Sequence, residues 1–182
     1  MQANISIGLV ELSSIAKGIE TADAMRKMSE IKLESAFATA KGKYIIFISG
    51  TVAEVESALT RGGEIAGKDL IDKYIIRNVH KGVLQALNKK VKIEKVEAIG
   101  VIETKDAVSS VYAADAALKA AYVEIVEIKT GSGIGGKGYF TINGEVGAVK
   151  TAISAGVKAV GENAIVNRIV IPNAHPDMLN IL

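Results

Sequence analysis

Short apolar runs alternate along the chain with longer segments of helical period, and the order of the two kinds predicts the elements. Ile7-Gly8-Leu9-Val10, closed by Glu11, has the pattern of a short buried strand. Ser13 or Ser14 follows as a candidate N-cap, and Ile15, Ile19, Ala22 and Met25 then lie close to one helical face. The stretch from Ile31 to Phe37 predicts a second strand. Tyr44-Ile45-Ile46-Phe47-Ile48 is so continuously apolar that it predicts a central one. Gly50 turns the chain into Thr51-Val52-Ala53-Glu54, which has capping-box spacing, and a helix runs on through Val55, Ala58 and Leu59 toward a C-cap at Gly67. A fourth strand, about Leu70 to Arg77, leads into a short terminal helix.

The same order then returns. Ile7-Gly8-Leu9-Val10-Glu11 recurs as Ile99-Gly100-Val101-Ile102-Glu103, Ala22-Asp23-Ala24 as Ala114-Asp115-Ala116, and Lys27 as Lys119, all at a shift of 92. Gly42-Lys43 recurs as Gly136-Lys137 and Gly50 as Gly144 at a shift of 94, so the second copy carries two extra residues in a glycine-rich loop. Asn78-Val79-His80 answers Asn173-Ala174-His175. Chance does not preserve order and spacing over nearly a whole chain; this is a tandem duplication. In the second copy Thr104 or Asp106 caps the first helix, Val108, Val111 and Leu118 join its apolar surface, and Gly161 ends the second helix. Strands are predicted at Val123 to Ile128, from Tyr139 to an Asn143-Gly144 turn, and at about Ile165 to Ile171. Two domains result, 1–88 and 97–182. The linker between them, 89–96, is charged, lacks a clear period and predicts a solvated connector.

The glycine loop itself resembles a nucleotide site. Gly131-x-Gly133-x-x-Gly136 fits a dinucleotide fingerprint, and Gly131-x-x-x-x-Gly136-Lys137 fits most of a P-loop. Both motifs work only where a strand ends and a helix begins, so that helix N–H groups meet the phosphate. Here the runs on both sides have strand character, and Gly138 stands where a P-loop needs Ser or Thr. The loop therefore reads as a flexible hairpin tip that approaches something closely.

Composition narrows the function. The chain has 182 residues, a formal charge of +2, no Cys and no Trp, and 49% hydrophobic content with only 4% aromatic. Without Cys there is no disulfide framework, thiolate metal site or cysteine nucleophile. A near-neutral charge argues against nucleic acid as a partner. The start, Met1-Gln2-Ala3-Asn4-Ile5, has no basic n-region and no long apolar run, and no stretch is long enough to span a membrane. A cytosolic chain with no membrane partner is expected. Its mean hydropathy of +0.28 is high for a lone soluble protein. The excess is in Ala, Val and Ile, small residues whose presence on outer faces implies cover by other subunits.

On these residues each copy resembles the BMC domain of bacterial microcompartment shell proteins. The marks are IGLVE and IGVIE, ADAMRK and ADAALK, the strand pair around a GSG-type tip, the Gly-then-Val helix start and the NxH end. The whole chain resembles the tandem-domain trimeric shell proteins of PduT type, with the strand order of the unpermuted domain. The fold this implies is α/β (α+β): two tandem BMC domains, each a four-stranded mainly antiparallel sheet with flanking helices, a ferredoxin-like variant. The resemblance further implies a homotrimer with pseudo-sixfold symmetry, a tile set among other BMC-domain hexamers in a shell in the bacterial cytoplasm, with encapsulated enzymes as further partners. Tips of both copies, Thr39, Ala40 and Lys41 with Gly131, Ser132, Gly133 and Ile134, would line a central pore for small polar or anionic metabolites. Lys27 and Lys119, with Asn78, His80, Asn173 and His175, would make tile-edge contacts.

Departures from the pattern carry weight. PduT-type relatives place a Cys in the first pore tip, where three thiolates hold an iron–sulfur cluster; the corresponding residue here is Ala40, so no Cys-ligated cluster and no cofactor is expected. Hexameric members carry Arg where Asn78 and Asn173 stand. Asp23 and Asp115 have no His or second carboxylate recurring beside them, so a structural hydrogen bond is expected rather than acid catalysis. His80 and His175 lack second-ligand spacing and read as local caps or edge contacts, not metal ligands. The favoured class is a structural and transport protein, not an enzyme. The alternative is a small-molecule-binding regulator built from a duplicated α/β module.

Overall fold

The computed structural model describes residues 5–88 and 91–180. Lys89 and Lys90, which open the expected linker, and the outermost residues of the two expected domains, 1–4 and 181–182, lie outside the described residues. The first copy runs β1 (Ser6–Leu12), α1 (Ile15–Met28), β2 (Lys32–Ala38), β3 (Tyr44–Gly50), α2 (Val52–Ala66), β4 (Leu70–Ile76) and α3 (Lys81–Asn88). The second runs β5 (Ala98–Thr104), α4 (Ala107–Ala120), β6 (Glu124–Thr130), β7 (Gly138–Gly144), α5 (Val146–Val160) and β8 (Ile165–Ile171), ending in a 3₁₀ turn, Pro176–Asn180. By contacts the chain forms two compact units: residues 1–79 with loop 131–136, and residues 80–130 with 137–182.

Each unit holds one four-stranded sheet, of order β2-β3-β1-β4 in the first and β6-β7-β5-β8 in the second. All pairings are antiparallel. The continuously apolar β3 lies inside its sheet as its pattern requires, beside β1, whose seven residues are all buried. Both copies also bulge at the same place, between Glu11 and Leu12 against β4 and between Glu103 and Thr104 against β8. The first core gathers Val10, Leu12, Met25, Ile31, Ile46, Ile48, Val55 and Leu59. Space on the inner strand is tight: a Cβ on Gly8 would lie 2.6 Å from Ile48 of β3 and 3.0 Å from Val55 of α2, and one on Gly100 would lie 2.8 Å from Val149 of α5.

Helix starts follow the candidate caps. Ser14 accepts from the Lys17 N–H and Asp106 from the Ser109 N–H, while Thr51 and Glu54 form the reciprocal capping box. The second copy replaces that Thr with Glu145, whose carboxylate accepts from the N–H groups of Gly147 and Ala148. These backbone donors hold the Glu54 and Glu145 carboxyls below the ordinary carboxylate value.

Three expectations need correction. Ile15 and Ile19 do not join the core with Ala22 and Met25 but stand exposed on α1. The connector is only partly solvated: the Val91 N–H donates to the Val126 carbonyl and Ile93 is buried, because the alternation of Val91, Lys92, Ile93 and Glu94 lets one side face inward. Asn143-Gly144 makes no hairpin turn. Gly144 ends β7 just ahead of α5, and the buried Asn143 side chain accepts from the Glu97 N–H and donates to the Lys95 carbonyl, each at 2.9 Å.

Candidate functional site

The glycine loop joins β6 to β7, which are paired antiparallel, so no helix N-terminus stands after it to receive a phosphate. Four of its residues, Gly131, Gly133, Gly135 and Gly136, have φ between 69° and 79°, a left-handed run that side chains with a Cβ rarely adopt. A Gly136 N–H to Gly131 carbonyl bond of 3.1 Å closes the loop at its base.

The first tip packs against it, within the first unit. A Cβ on Gly131 would lie 2.5 Å from the Thr39 Oγ1, and one on Gly136 would lie 3.1 Å from the Ala40 carbonyl oxygen. A Cβ on Gly135 would lie 4.0 Å from the Lys41 Cε. Thr39, Ala40 and Lys41 are thus brought beside 131–136, with Ser132 and Gly133 exposed and Ile134 half-buried. The first tip turns through Lys41, at φ 62° and ψ 25°, and Gly42, at φ 71°, and is closed by a Thr39 N–H to Lys43 carbonyl bond of 2.9 Å.

Two lysines of this tip take opposite roles. Lys43 is drawn inward: its Nζ lies 2.8 Å from Glu11 Oε1, a buried carboxylate, and donates to the Gly136 carbonyl at 2.9 Å. Lys41 is exposed and makes no ion pair among the described residues. The site therefore presents glycine backbone, the Ser132 hydroxyl and one uncompensated cation.

The other predicted positions fall elsewhere. Lys27 pairs with Asp23 at 2.6 Å near the end of α1, and Lys119 pairs with Asp115 near the end of α4. Asp115 also accepts from the backbone N–H of His80 at 2.8 Å, the kind of structural hydrogen bond expected of it, and so brings His80 and Lys119 together. Both histidines act as local caps, each Nδ1 accepting at 3.2 Å from the N–H two residues on, that of Gly82 or Asp177. Asn78 and Asn173 adopt φ 50° and 48°, a left-handed turn conformation that Asn enters at lower cost than Arg. Sequence reasoning did not find Lys43 and Glu11 as the ties that set the tip. The recurrence of both in Lys137 and Glu103, which also lie 2.8 Å apart, was the available signal. Among the described residues no cluster of three or more His, Cys, Asp or Glu side chains is placed to hold a metal ion, and no helix is long and apolar enough to cross a membrane.

Known proteins resemble the chain in sequence and in fold. The BMC domain profile matches the chain twice, over residues 6–79 and 98–174. The chain is 36% identical over 174 residues, 95% of each chain, to bacterial microcompartment shell protein PduT of Citrobacter freundii. It is 43% identical over 90 residues to bacterial microcompartment shell protein PduA of the same organism, covering 47% of this chain and 91% of that one. A solved structure of a microcompartment protein from Desulfitobacterium hafniense DCB matches with a TM-score of 0.82 and 42% identity, covering 98% of this chain and 99% of that one.

Proposed function

The chain belongs to the BMC-domain family and is a structural shell protein of a bacterial microcompartment; from that premise we propose that three copies close into a pseudohexameric tile whose central pore passes small anionic or polar metabolites. The observation that carries the reading is the packing of tip Thr39–Lys41 beside tip 131–136, with Lys41 left exposed and unpaired. Threefold repetition would set six tips around one axis, where glycine backbone permits close approach. Three Lys41 ammonium groups at a narrow opening raise the local concentration of anions, and low-dielectric walls focus that field.

On this reading the chain catalyses nothing. The tip does not fit an iron–sulfur cluster, since Ala40 offers no ligand and the sequence contains no Cys. The side chains of Lys27, Lys119, Asn78, Asn173, His80 and His175 meet neighbouring tiles at the edges, and hexameric BMC-domain proteins are the lateral partners.

Trimers in a planar bilayer test the pore. Anion-to-cation permeability should favour anions and should fall toward unity in Lys41→Ala. Equal selectivity in the two proteins would mean a neutral, size-selective hole lined by Gly, Ser and Ala.

A further inference from the structure

The second helix of each copy faces solvent with opposite charge. Glu56 and Glu64 on α2 correspond, at the shift of 94, to Lys150 and Lys158 on α5. In the first copy the charges are satisfied locally: Arg77 pairs with Glu56 and Arg61 with Glu64. In the second, Lys150 and Lys158 are exposed and make no salt bridge among the described residues. Lys150 acts on Glu145 only through space, adding to the backbone donors, Gly147 first, that hold that carboxyl low.

The strand beside the helix differs too. Sheet register equates Lys73 on β4, opposite Val10, with Arg168 on β8, opposite Ile102. Lys73 lies back across α2: its Nζ donates to the Leu59 carbonyl at 3.2 Å, and a Cβ on Gly63 would lie 2.6 Å from it. In the second copy Val157 replaces Gly63 and carries the Cβ that such a crossing forbids, and Arg168 turns instead to Glu162, 2.5 Å away. With no cation laid across the helix, α5 and β8 border an open groove of about 540 Å³. Its floor is apolar, formed by Ile153, Val157 and Val170, and the exposed Lys150, Ser154 and Lys158 stand along the helix side.

The strand side of the groove ends in an open edge. β8 is the outermost strand of its sheet, and Val166, Asn167, Arg168 and Ile169 are all exposed. An edge of this kind offers backbone N–H and C=O groups to an added strand. The 3₁₀ turn Glu162–Ala164 folds β8 back along α5, so a strand added there runs beside the lysine row. The spacings agree: residues eight apart on a helix, such as Lys150 and Lys158, are about 12 Å apart along its axis, and residues four apart on a strand are about 13 Å apart.

We infer that the groove between α5 and β8 docks an extended acidic segment of another protein, added as a strand at the β8 edge. Two carboxylates four residues apart meet Lys150 and Lys158, and an apolar side chain midway between them covers Ile153, Val157 and Val170. The apolar floor between the cations selects a peptide over a free inorganic anion, which would leave that floor wet. The first copy, with acidic groups on its helix and Lys73 across it, has no equivalent site. The groove is built within one unit, so the inference does not depend on ring closure.

Fluorescence anisotropy tests it, with the purified protein and a labelled peptide of sequence glutamate-threonine-valine-threonine-glutamate blocked at both ends. The parent protein should bind this peptide saturably at physiological ionic strength. Lys150→Glu with Lys158→Glu should raise Kd at least about tenfold, and the same variant should gain binding to the peptide in which both glutamates are lysine. Val157→Gly with Arg168→Lys imports the first copy's arrangement, fills the groove and should weaken binding by a similar factor. Of two peptides N-methylated at alternate amides, the one methylated on the edge facing β8 should lose binding and the other keep it. Absence of binding to the parent protein would overturn the site. Equal affinity for a scrambled peptide with adjacent glutamates would mean adsorption of any polyanion, and equal binding of the two methylated peptides would exclude strand addition; either result overturns the proposal.

Discussion

The two copies fill one core position from opposite sides. In the first, Gly18 on α1 lies under the ring of Tyr44 at the start of β3, and a Cβ on that glycine would run into the ring. In the second, the bulk has moved to the helix: Ser110 stands where Gly18 was, and Gly138 replaces Tyr44, so a Cβ on Gly138 would lie 2.5 Å from the Ser110 Oγ. The summed volume matters more than which element supplies it, as close packing demands. A second contrast concerns charge. Lys43 and Glu11 are 16% and 0% exposed, whereas their counterparts Lys137 and Glu103 are 44% and 35% exposed, at the same 2.8 Å separation. The pair is the same; its surroundings are not. Duplication has preserved the positions, and burial has since assigned them different tasks.

That charge contrast gives the largest expected effect. Lys43→Met leaves the Glu11 carboxylate buried without its cation, and should lower folding stability by about 3–5 kcal/mol. Lys137→Met, in chains dilute enough to be monomeric, should cost about 0–1 kcal/mol, because Glu103 remains hydrated. Urea unfolding of the two variants checks the difference. Equal losses would mean that the two pairs are equivalent in the free chain.

Packing gives a middle-sized effect. Gly18→Ser forces a side chain beneath Tyr44 and should cost about 1–3 kcal/mol. Adding Tyr44→Gly imports the second copy's solution, and the double variant should show a favourable coupling of about 0.5–3 kcal/mol in a double-mutant cycle. Strict additivity would deny that the two residues share one space.

The repeat, the strands and the helix starts were legible because each has a local signal: periodicity, a continuous apolar run, a Ser, Thr or Asp at the right offset; the strand order came only with the resemblance. What escaped was what depends on a partner far along the chain. Gly18 is ordinary until Tyr44 is placed over it, and α3, the terminal helix of the first repeat, packs on β6 and α4 of the second. The departure at Asn78 and Asn173 looked like lost edge arginines, and their positive φ gives the residue type a backbone reason. At the site, the resemblance named the tip residues. Only the fold put Thr39 and Gly131, so distant in sequence, within contact, and only the fold separated inward Lys43 from outward Lys41.

The smallest expected effect contrasts the two helix caps. Glu54 and Glu145 have folded-state carboxyl values below the ordinary one, Glu54 mainly through the Thr51 N–H and Glu145 mainly through the Gly147 N–H. Each therefore contributes stability that is present above the unfolded value and lost as pH falls through the lower folded value. Glu145→Gln should flatten the decline of Tm between about pH 5 and about pH 3. Glu54→Gln should flatten it less, since Thr51 still caps α2 with its own hydroxyl. Identical slopes in both variants and the parent would show that neither carboxylate contributes.

Mass in solution tests the central claim most directly. Sedimentation equilibrium at micromolar concentration should show one species of three 19.1 kDa chains, unchanged by small metabolites. A stable monomer would contradict the tile, and a discrete oligomer whose mass shifts with a bound metabolite would turn the reading to a regulator.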